Sequence, residues 1–364
     1  MDSSNPSIVF DESGRCNCCK DSIERMPFEL FDNKIGKKKL LNLIGLLRKN
    51  GKNKKYDVLI GLSGGVDSAY LAHLIVTKFK LRPLAVHVDG GWNSSSAVSN
   101  IETIVRSLNI DLLTYVVEWN EMRDLQLSFL KSSVLNQDIP QDHLFFSVLY
   151  STAIKYKINY FLSGVNFNSE NISPPEWGHP YMDLTHIKAI HKEFGQIHLK
   201  TFPFMSLPKY IYLSRILKKL HVFKPLNYIN YDKEKALSLL KFKYKWVDYG
   251  AKHHESRFTK FYQEIYLPKK FNFDKRRLHL SSLIVSSQIT RSEAIKELEK
   301  PILAASEVKR DIRFISKKLG ISSNELETLI TSKPIHHSDY KNFISFHKFI
   351  FLMRKVLRII NINI

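Results

Sequence analysis

Lys54-Lys55-Tyr56-Asp57-Val58-Leu59-Ile60-Gly61-Leu62-Ser63-Gly64-Gly65-Val66-Asp67-Ser68 is the stretch whose reading decides the fold. A short apolar run leads straight into a Ser-Gly-Gly-Val-Asp-Ser turn, and a helical pattern continues from Ala69 to Lys78. Adjacent glycines let a backbone curl closely around an anion. Serine hydroxyls and the first N–H groups of the incoming helix supply donors and a positive dipole end. The pattern differs from the G-x-x-x-x-G-K-S/T loop, because no Lys follows and the spacing is wrong. Gly61, Leu62, Ser63, Gly64, Gly65, Val66, Asp67 and Ser68 are therefore candidate nucleotide-binding residues, with Asp67 also a catalytic candidate. The plain alternative is a Gly-rich strand-to-helix turn without a ligand, which a complete six-residue pattern behind an apolar strand disfavours.

Outward from this stretch, strands alternate with helices. Strands are read at 56–62, 82–89, 111–118 and 160–164, with helical patterns at 68–78, 97–108, 121–135 and 142–157. Short apolar runs separated by helices imply βαβ crossovers and a parallel sheet covered on both faces. The fold class is α/β, a doubly wound parallel sheet with a helical C-terminal extension and a small N-terminal Cys-containing segment. In such sheets ligands bind beyond the strand C-termini at a switch point. The second strand closes with His87, Val88, Asp89 and Gly90, and the fourth with Ser163 and Gly164; all six are nucleotide-pocket candidates.

Three segments are expected: 1–50, with the cysteines and a lead-in helix over 37–49; 51–205, the nucleotide-binding domain; and 206–364, helical and basic. Residues 165–205 read as an irregular loop with a short helical patch before Phe202-Pro203-Phe204, a segment that would bind substrate, with Asn166, Glu176, Trp177 and His179 as candidates. In the basic region, Lys252, His253, His254, Glu255, Arg257 and Lys260, then Arg276 and Arg277, offer phosphate contacts and proton transfer. Capping boxes at Thr290 to Glu293 and Ser322 to Glu325 start later helices.

The 364 residues are 44% hydrophobic and 25% charged, an ordinary globular balance. No apolar run reaches the ~18 residues of a membrane span, and no signal-peptide core opens the chain, so the cytoplasm is the expected location. Three cysteines, Cys16, Cys18 and Cys19, exclude a disulfide-framed domain. Cys16 and Cys19 have the spacing of a zinc knuckle, but a tetrahedral site needs two more ligands and no second pair exists. A net charge of +20 attracts polyanions. Nucleic acid, an anionic nucleotide-activated substrate, an anionic membrane surface and a plain Lys-rich surface all satisfy it.

With these residues in view, the loop at Ser63–Ser68 resembles the PP-loop of the ATP pyrophosphatases, which have the adenine nucleotide alpha hydrolase-like fold. The chain as a whole resembles the N-acetyl sugar amidotransferases of the WbpG type, from bacterial surface-polysaccharide (lipopolysaccharide, O-antigen) synthesis. That likeness rests also on Phe10 to Cys19, Pro175-Glu-Trp-Gly178, Gly250 to Gln263 and Asp274 to Leu283. The family has a further Cys pair near its start that this chain, opening at Met1-Asp2, does not show. Either the start was assigned late or the zinc knuckle has been lost.

The resemblance implies an AMP-forming ligase that uses ATP and Mg2+. An acetamido oxygen of a UDP-linked diacetamido uronic acid attacks the α-phosphate, and ammonia from a glutaminase of the histidine-biosynthesis type then displaces AMP. Catalysis would fall to Asp67, Lys252, His253, Glu255, Arg257 and Glu176. Substrate binding would fall to Asn166, Trp177, Lys260, Arg276 and Arg277, with Cys16 and Cys19 as the remnant zinc ligands. Two other readings compete. A PP-loop ligase acting on tRNA suits the basic surface, although no Cys beyond Cys19 remains to carry sulfur. A quiet subunit that only docks a glutaminase is the other, and the intact loop argues against it.

Overall fold

The computed structural model describes residues 1–345 except 4, 6, 218 and 251–253. Five parallel strands form one sheet: β1 Val58–Gly61, β2 Pro83–Asp89, β3 Asp111–Val116, β4 Tyr160–Leu162 and β5 His221–Phe223, in the order β3-β2-β1-β4-β5. Register is fixed by pairs such as Ile60 with Ala85 and Ile60 with Leu162. The helices are α1 Asn17–Glu29, α2 Lys34–Gly51, α3 Val66–His73, α4 Ser95–Leu108, α5 Trp119–Ser132, α6 Ile139–Lys155, α7 Phe167–Glu170 and α8 Leu184–Phe194. Beyond them lie α9 Leu207–Ile211, α10 Lys233–Tyr244, α11 Arg257–Phe261, α12 Leu267–Phe271, α13 Arg276–Val285, α14 Arg291–Glu299, α15 Ala305–Leu319 and α16 Ser323–Thr331.

Alternation along the strands builds two cores. Val58, Ile60 and Leu62 face α2, α3, α4 and α10, while Leu59, Leu84 and Val86 face α5, α6 and the C-terminal helices. This is the doubly wound parallel sheet the sequence predicts. The second core is continuous from Leu59 in β1 to Ile330 in α16, so the C-terminal helices share apolar packing with the sheet.

Three elements differ from expectation. The N-terminal segment carries α1, which starts where the Cys16 sulfur accepts the Cys19 N–H, a helix cap that apolar periodicity does not report. β5 lies in the region expected to be helical, and as a half-exposed edge strand it lacks the apolar run that marks β1, β2 and β4. Within 165–205, α8 is a full helix with Ile187 and Ile190 buried, capped by Asp183. At the later helices Thr290 forms the reciprocal capping box, whereas Ser322 accepts from Glu325 without the return bond.

Two buried details fix the loops around the site. Glu121 in α5 accepts backbone N–H groups from Lys200, Thr201 and Phe202, pinning the end of the long loop to the sheet layer. Burial raises its pKa, but those N–H donors outweigh burial and hold it below the ordinary value. Gly64 sits at φ +83°, and a Cβ there would lie 2.7 Å from the Ala97 Cβ.

Two outcomes follow. A carboxylate with a depressed folded pKa stabilises above the unfolded value of about 4.3 and loses that contribution as pH falls through the folded value. Glu121→Gln should therefore lower stability by about 1–3 kcal/mol at neutral pH, a gap that closes towards the acid end of the transition. Urea midpoints at neutral and acid pH check it, and equal midpoints at neutral pH would refute it. Gly64→Ala should cost about 1–3 kcal/mol from left-handed strain and the clash. Combining it with Ala97→Gly should restore only part, because the Ala97 carbonyl oxygen stays 2.8 Å from the new methyl; thermal unfolding of the three variants checks this.

Candidate active site

A cavity of about 580 Å³ opens at the carboxyl ends of β1, β2 and β4. This is the switch point of the sheet, where β1 has β2 on one side and β4 on the other. Its floor is the Ser63–Ser68 turn. Ser63 Oγ accepts the Gly65 N–H at 3.2 Å, and Ser68 Oγ donates to the Gly65 carbonyl at 3.0 Å. α3 begins at Val66, so its first N–H groups point into the cradle. Gly164 allows the end of β4 to press on this turn, since a Cβ there would meet the Asp67 carbonyl carbon and the Ser68 nitrogen at 3.1 Å. Asp67 accepts from the Tyr231 hydroxyl.

A strap from the C-terminal region lies over the cradle. Ser94 N–H donates to the Glu255 carbonyl and Arg257 N–H to the Trp92 carbonyl, both at 2.8 Å. That pairing holds the Glu255 carboxylate 3.1 Å from where a Gly65 side chain would begin. Tyr249 O accepts the Val66 N–H at 3.2 Å, and burial raises the pKa of its hydroxyl. His87 donates from Nδ1 to the Leu62 carbonyl at 2.9 Å and accepts the Asn93 amide at Nε2, which fixes its ring and tautomer.

Of the expected residues, Gly61, Leu62, Ser63, Gly65, Val66, Asp67, Ser68, His87, Val88, Ser163, Gly164, Trp177, His179 and Glu255 line the cavity. The others do not. Gly64 faces α4. Asp89 holds its own turn through the Gly91 N–H and the Asn93 amide, and Gly90 packs by Leu144. Asn166 caps α7, and Glu176 accepts from Ser7. Arg257 and Lys260 both pair with Asp311, at 2.9 and 3.0 Å, and Arg257 also lies over the Phe314 ring. Arg276 pairs with Asp274 and donates to carbonyls at the end of α14, while Arg277 pairs with Asp2. These cations tie helices together. Lys252 and His253 lie outside the described residues, and His254 pairs with Glu264 at 2.6 Å.

Residues not foreseen complete the wall: Asn136, Asp138 and Asp142 at the start of α6, Glu170 on α7, and Lys233, Tyr249, Thr259, Tyr262, Gln263 and Lys275. Asp138 and Asp142 stand four residues apart on one helix, a like-charge pair that weakens an isolated helix. That mismatch was the available signal. Lys275, one position before the expected Arg276, reaches the cavity in its place.

Zinc at Cys16 and Cys19 finds no support. Cys16 caps α1, and hydrogen bonds from Cys18 and then Cys19 lower its pKa. Among the described residues one group has metal-ligand spacing: His179, His186 and His337, all buried. His337 Nε2 accepts the Asn136 N–H at 3.1 Å, so Nδ1 carries the ring proton and donates to His186 Nε2 at 2.9 Å. A ligand must offer a lone pair at that nitrogen, and here it is protonated. His186 and His337 are thus joined by a hydrogen bond, while His179 pairs with Asp183.

Two family models match the chain. Residues 41–203 match the family model for NAD synthase, and residues 255–353 match that for LPS biosynthesis protein WbpG-like, C-terminal domain. The uncharacterized protein MJ1599 of Methanocaldococcus jannaschii is 34% identical over 95 residues, 26% of this chain and 33% of that protein. The chain thus spans a third of the length of the curated relative it matches. Among solved structures, NMN synthetase from Francisella tularensis is 16% identical, covering 79% of this chain and 94% of that one with a TM-score of 0.36. The NH3-dependent NAD synthetase from Campylobacter jejuni is 15% identical over 57% and 93%, TM-score 0.30. The U34-tRNA thiolase NcsA from Methanococcus maripaludis is 16% identical over 79% and 83%, TM-score 0.33. The chain joins a PP-loop domain of the NAD-synthase kind to a C-terminal domain of the WbpG-like family.

Proposed function

We propose that the protein is an ATP-dependent, AMP-forming amidotransferase that converts an acetamido group of a nucleotide-activated sugar, a UDP-diacetamido uronic acid, to an acetamidino group. One observation carries the reading. Glu255, Ser256, Thr259, Tyr262, Gln263 and Lys275, all within the WbpG-like match, line the same cavity as the PP-loop. A nucleotide held by the loop would meet its acceptor against that wall.

An amide is a poor electrophile. Attack of its oxygen on the α-phosphate releases pyrophosphate and turns that oxygen into a good leaving group. The Ser63 and Ser68 hydroxyls and the first N–H groups of α3 receive the phosphate charge, with Lys233 and Lys275 as the described cations of the cavity. Asp67, Glu170 and Glu255 offer hard oxygen ligands close to the loop, which fits Mg2+. That ion would neutralise charge on the pyrophosphate. The buried indole N–H of Trp177 has no partner, and as a cavity residue it suits the carboxylate or a carbonyl of the sugar. Ammonia would come from a separate glutaminase of the histidine-biosynthesis type. Lys252 and His253 remain catalytic candidates on sequence grounds.

Pyrophosphate release from ATP tests the reading with ammonium chloride and either the UDP-sugar or tRNA as acceptor. Release is expected only with the sugar; release only with tRNA, or none, would overturn it. Within that assay, Lys275→Ala should lower kcat/KM for the sugar by roughly ten- to a hundredfold, the scale of a charge-assisted hydrogen bond. Arg276→Ala should leave that ratio within about twofold while lowering the melting temperature, because Arg276 is tied to Asp274 and the end of α14. The reverse pattern would place the sugar's anionic groups elsewhere.

A further inference from the structure

We infer that the outer face of α2 is a docking surface for an anionic lipid bilayer, on which lysines meet the headgroups while Ile35, Leu41 and Leu46 enter the boundary beneath them. The inference goes beyond the ligase reading and does not depend on it. α2 buries Leu40, Ile44 and Leu47 against the sheet layer, which settles how the helix is turned. Its exposed face carries only cations, Asn42, Gly45, Asn50 and the three aliphatic residues.

The run from Lys34 to Lys55 holds nine lysines and arginines and no aspartate or glutamate. Nine of the chain's surplus of twenty positive charges therefore fall in this one run, a concentration that an evenly Lys-rich surface does not produce. All nine are exposed. Lys55 pairs with Asp111, and Lys54 and Arg48 donate to the carbonyls of Lys157 and Phe79. Lys34, Lys37, Lys38, Lys49 and Lys52 form no ion pair among the described residues. Of the flanking acids, Asp57 is buried against Arg82, which leaves Asp32 just ahead of the helix. Nor does the helix gain from these charges. Lys34, Lys37 and Lys38 stand near its N-terminus, where the dipole disfavours cations and no acid offsets them, and Lys34 and Lys38 repel each other one turn apart.

Charge of this sign calls for a polyanion, and the aliphatic side chains decide which. Ile35, Leu41 and Leu46 are 67%, 59% and 44% exposed among the lysines. A sugar-phosphate backbone offers such chains nothing, whereas the boundary between headgroups and acyl chains takes them up. Nucleic-acid surfaces rely on arginine forks and on aromatic faces that stack on bases. The run has no aromatic residue, and its single arginine is tied to a backbone carbonyl. Lysine stems lie along apolar surface and lift their ammonium groups to headgroup level. Attraction to anionic lipid and shallow apolar burial are each weak and reinforce one another on one face. No residue of α2 lines the cavity, so the face can be occupied without filling the site.

The test sediments the full chain with vesicles of phosphatidylcholine alone and of phosphatidylcholine and phosphatidylglycerol in equal parts. Partition should be roughly tenfold or more higher on the anionic vesicles and should fall as salt rises. Lys38→Glu combined with Lys49→Glu should lower it by roughly tenfold or more. The same charge change on exposed sites of α14 and α15, Lys296→Glu with Lys309→Glu, should have a clearly smaller effect. Ile35→Ser with Leu46→Ser keeps the charge and should lower partition by roughly threefold or more; this pair covers the case in which the first fails to fold. Equal partition on the two vesicle sets, an unaltered partition in either folded α2 pair, or an equal loss in the α14 and α15 pair would overturn the surface. Polyuridylate separates lipid from nucleic acid: if it strips the chain from anionic vesicles and binds in a manner that Lys38→Glu with Lys49→Glu abolishes, the face belongs to nucleic acid and the inference falls. The readout is binding alone, so failure of every acceptor in the pyrophosphate assay would overturn the ligase reading and leave this surface standing.

Discussion

The close approach of three backbones at the Ser63–Ser68 turn is the constraint on which the rest depends. Gly64 lets the turn lie on α4, Gly65 leaves room beneath the Glu255 carboxylate, and Gly164 lets β4 close against the first turn of α3. A methyl group at any of the three meets a neighbour within about the contact limit of two carbon atoms. The sheet supplies the force that holds them there. β1 pairs with β2 on one side and β4 on the other, so each strand end is delivered to the same point. The cavity is thus a product of strand order rather than of any single loop.

A net charge of +20 suggests a basic site, whereas the described lining of the cavity carries more acids than bases. Asp67, Asp138, Asp142, Glu170 and Glu255 line it against Lys233 and Lys275. Apart from Lys275, the arginines and Lys260 of the basic run at 257–277 are tied down. Arg257 and Lys260 share Asp311 and dock α11 onto α15, and Arg276 caps the end of α14. Partly buried pairs of this kind set geometry more than stability. An acidic lining beside a phosphate cradle needs a cation to balance it, and the chemistry proposed would bring one in Mg2+.

The sheet was legible because its strands are apolar runs bounded by turn residues, and the loop because its glycines and hydroxyls sit at fixed offsets. The far wall was not. Glu255 reaches the cavity only through a pairing of 255–257 with 92–94, a contact between residues about 160 positions apart that no local pattern records. Arg276 and Lys275 are indistinguishable by composition, and the helical phase of α13 decides which faces inward. Asp138 was overlooked because it reads as a helix-start acid, an ordinary residue in that place. The cysteines show the opposite error. A spacing suited to metal is here a helix cap.

The strap also bears on how a nucleotide could enter. Val66 N–H, one of the donors that the α3 terminus offers, is already taken by the Tyr249 hydroxyl, and the Glu255 carboxylate lies beside Gly65. A phosphate oxygen at Val66 replaces a neutral acceptor with a charged one, and charge-assisted bonds are roughly twice as strong. Near Glu255 the same phosphate meets like charge, which a divalent cation between the two removes. Tyr249 and Glu255 thus set opposite conditions at one cradle: the first yields to any strong anion, the second only to an anion that arrives with its metal. On the ligase reading proposed above, discrimination between Mg2+–ATP and free phosphate would rest on that pairing, and both residues come from the C-terminal strap rather than from the Ser63–Ser68 loop.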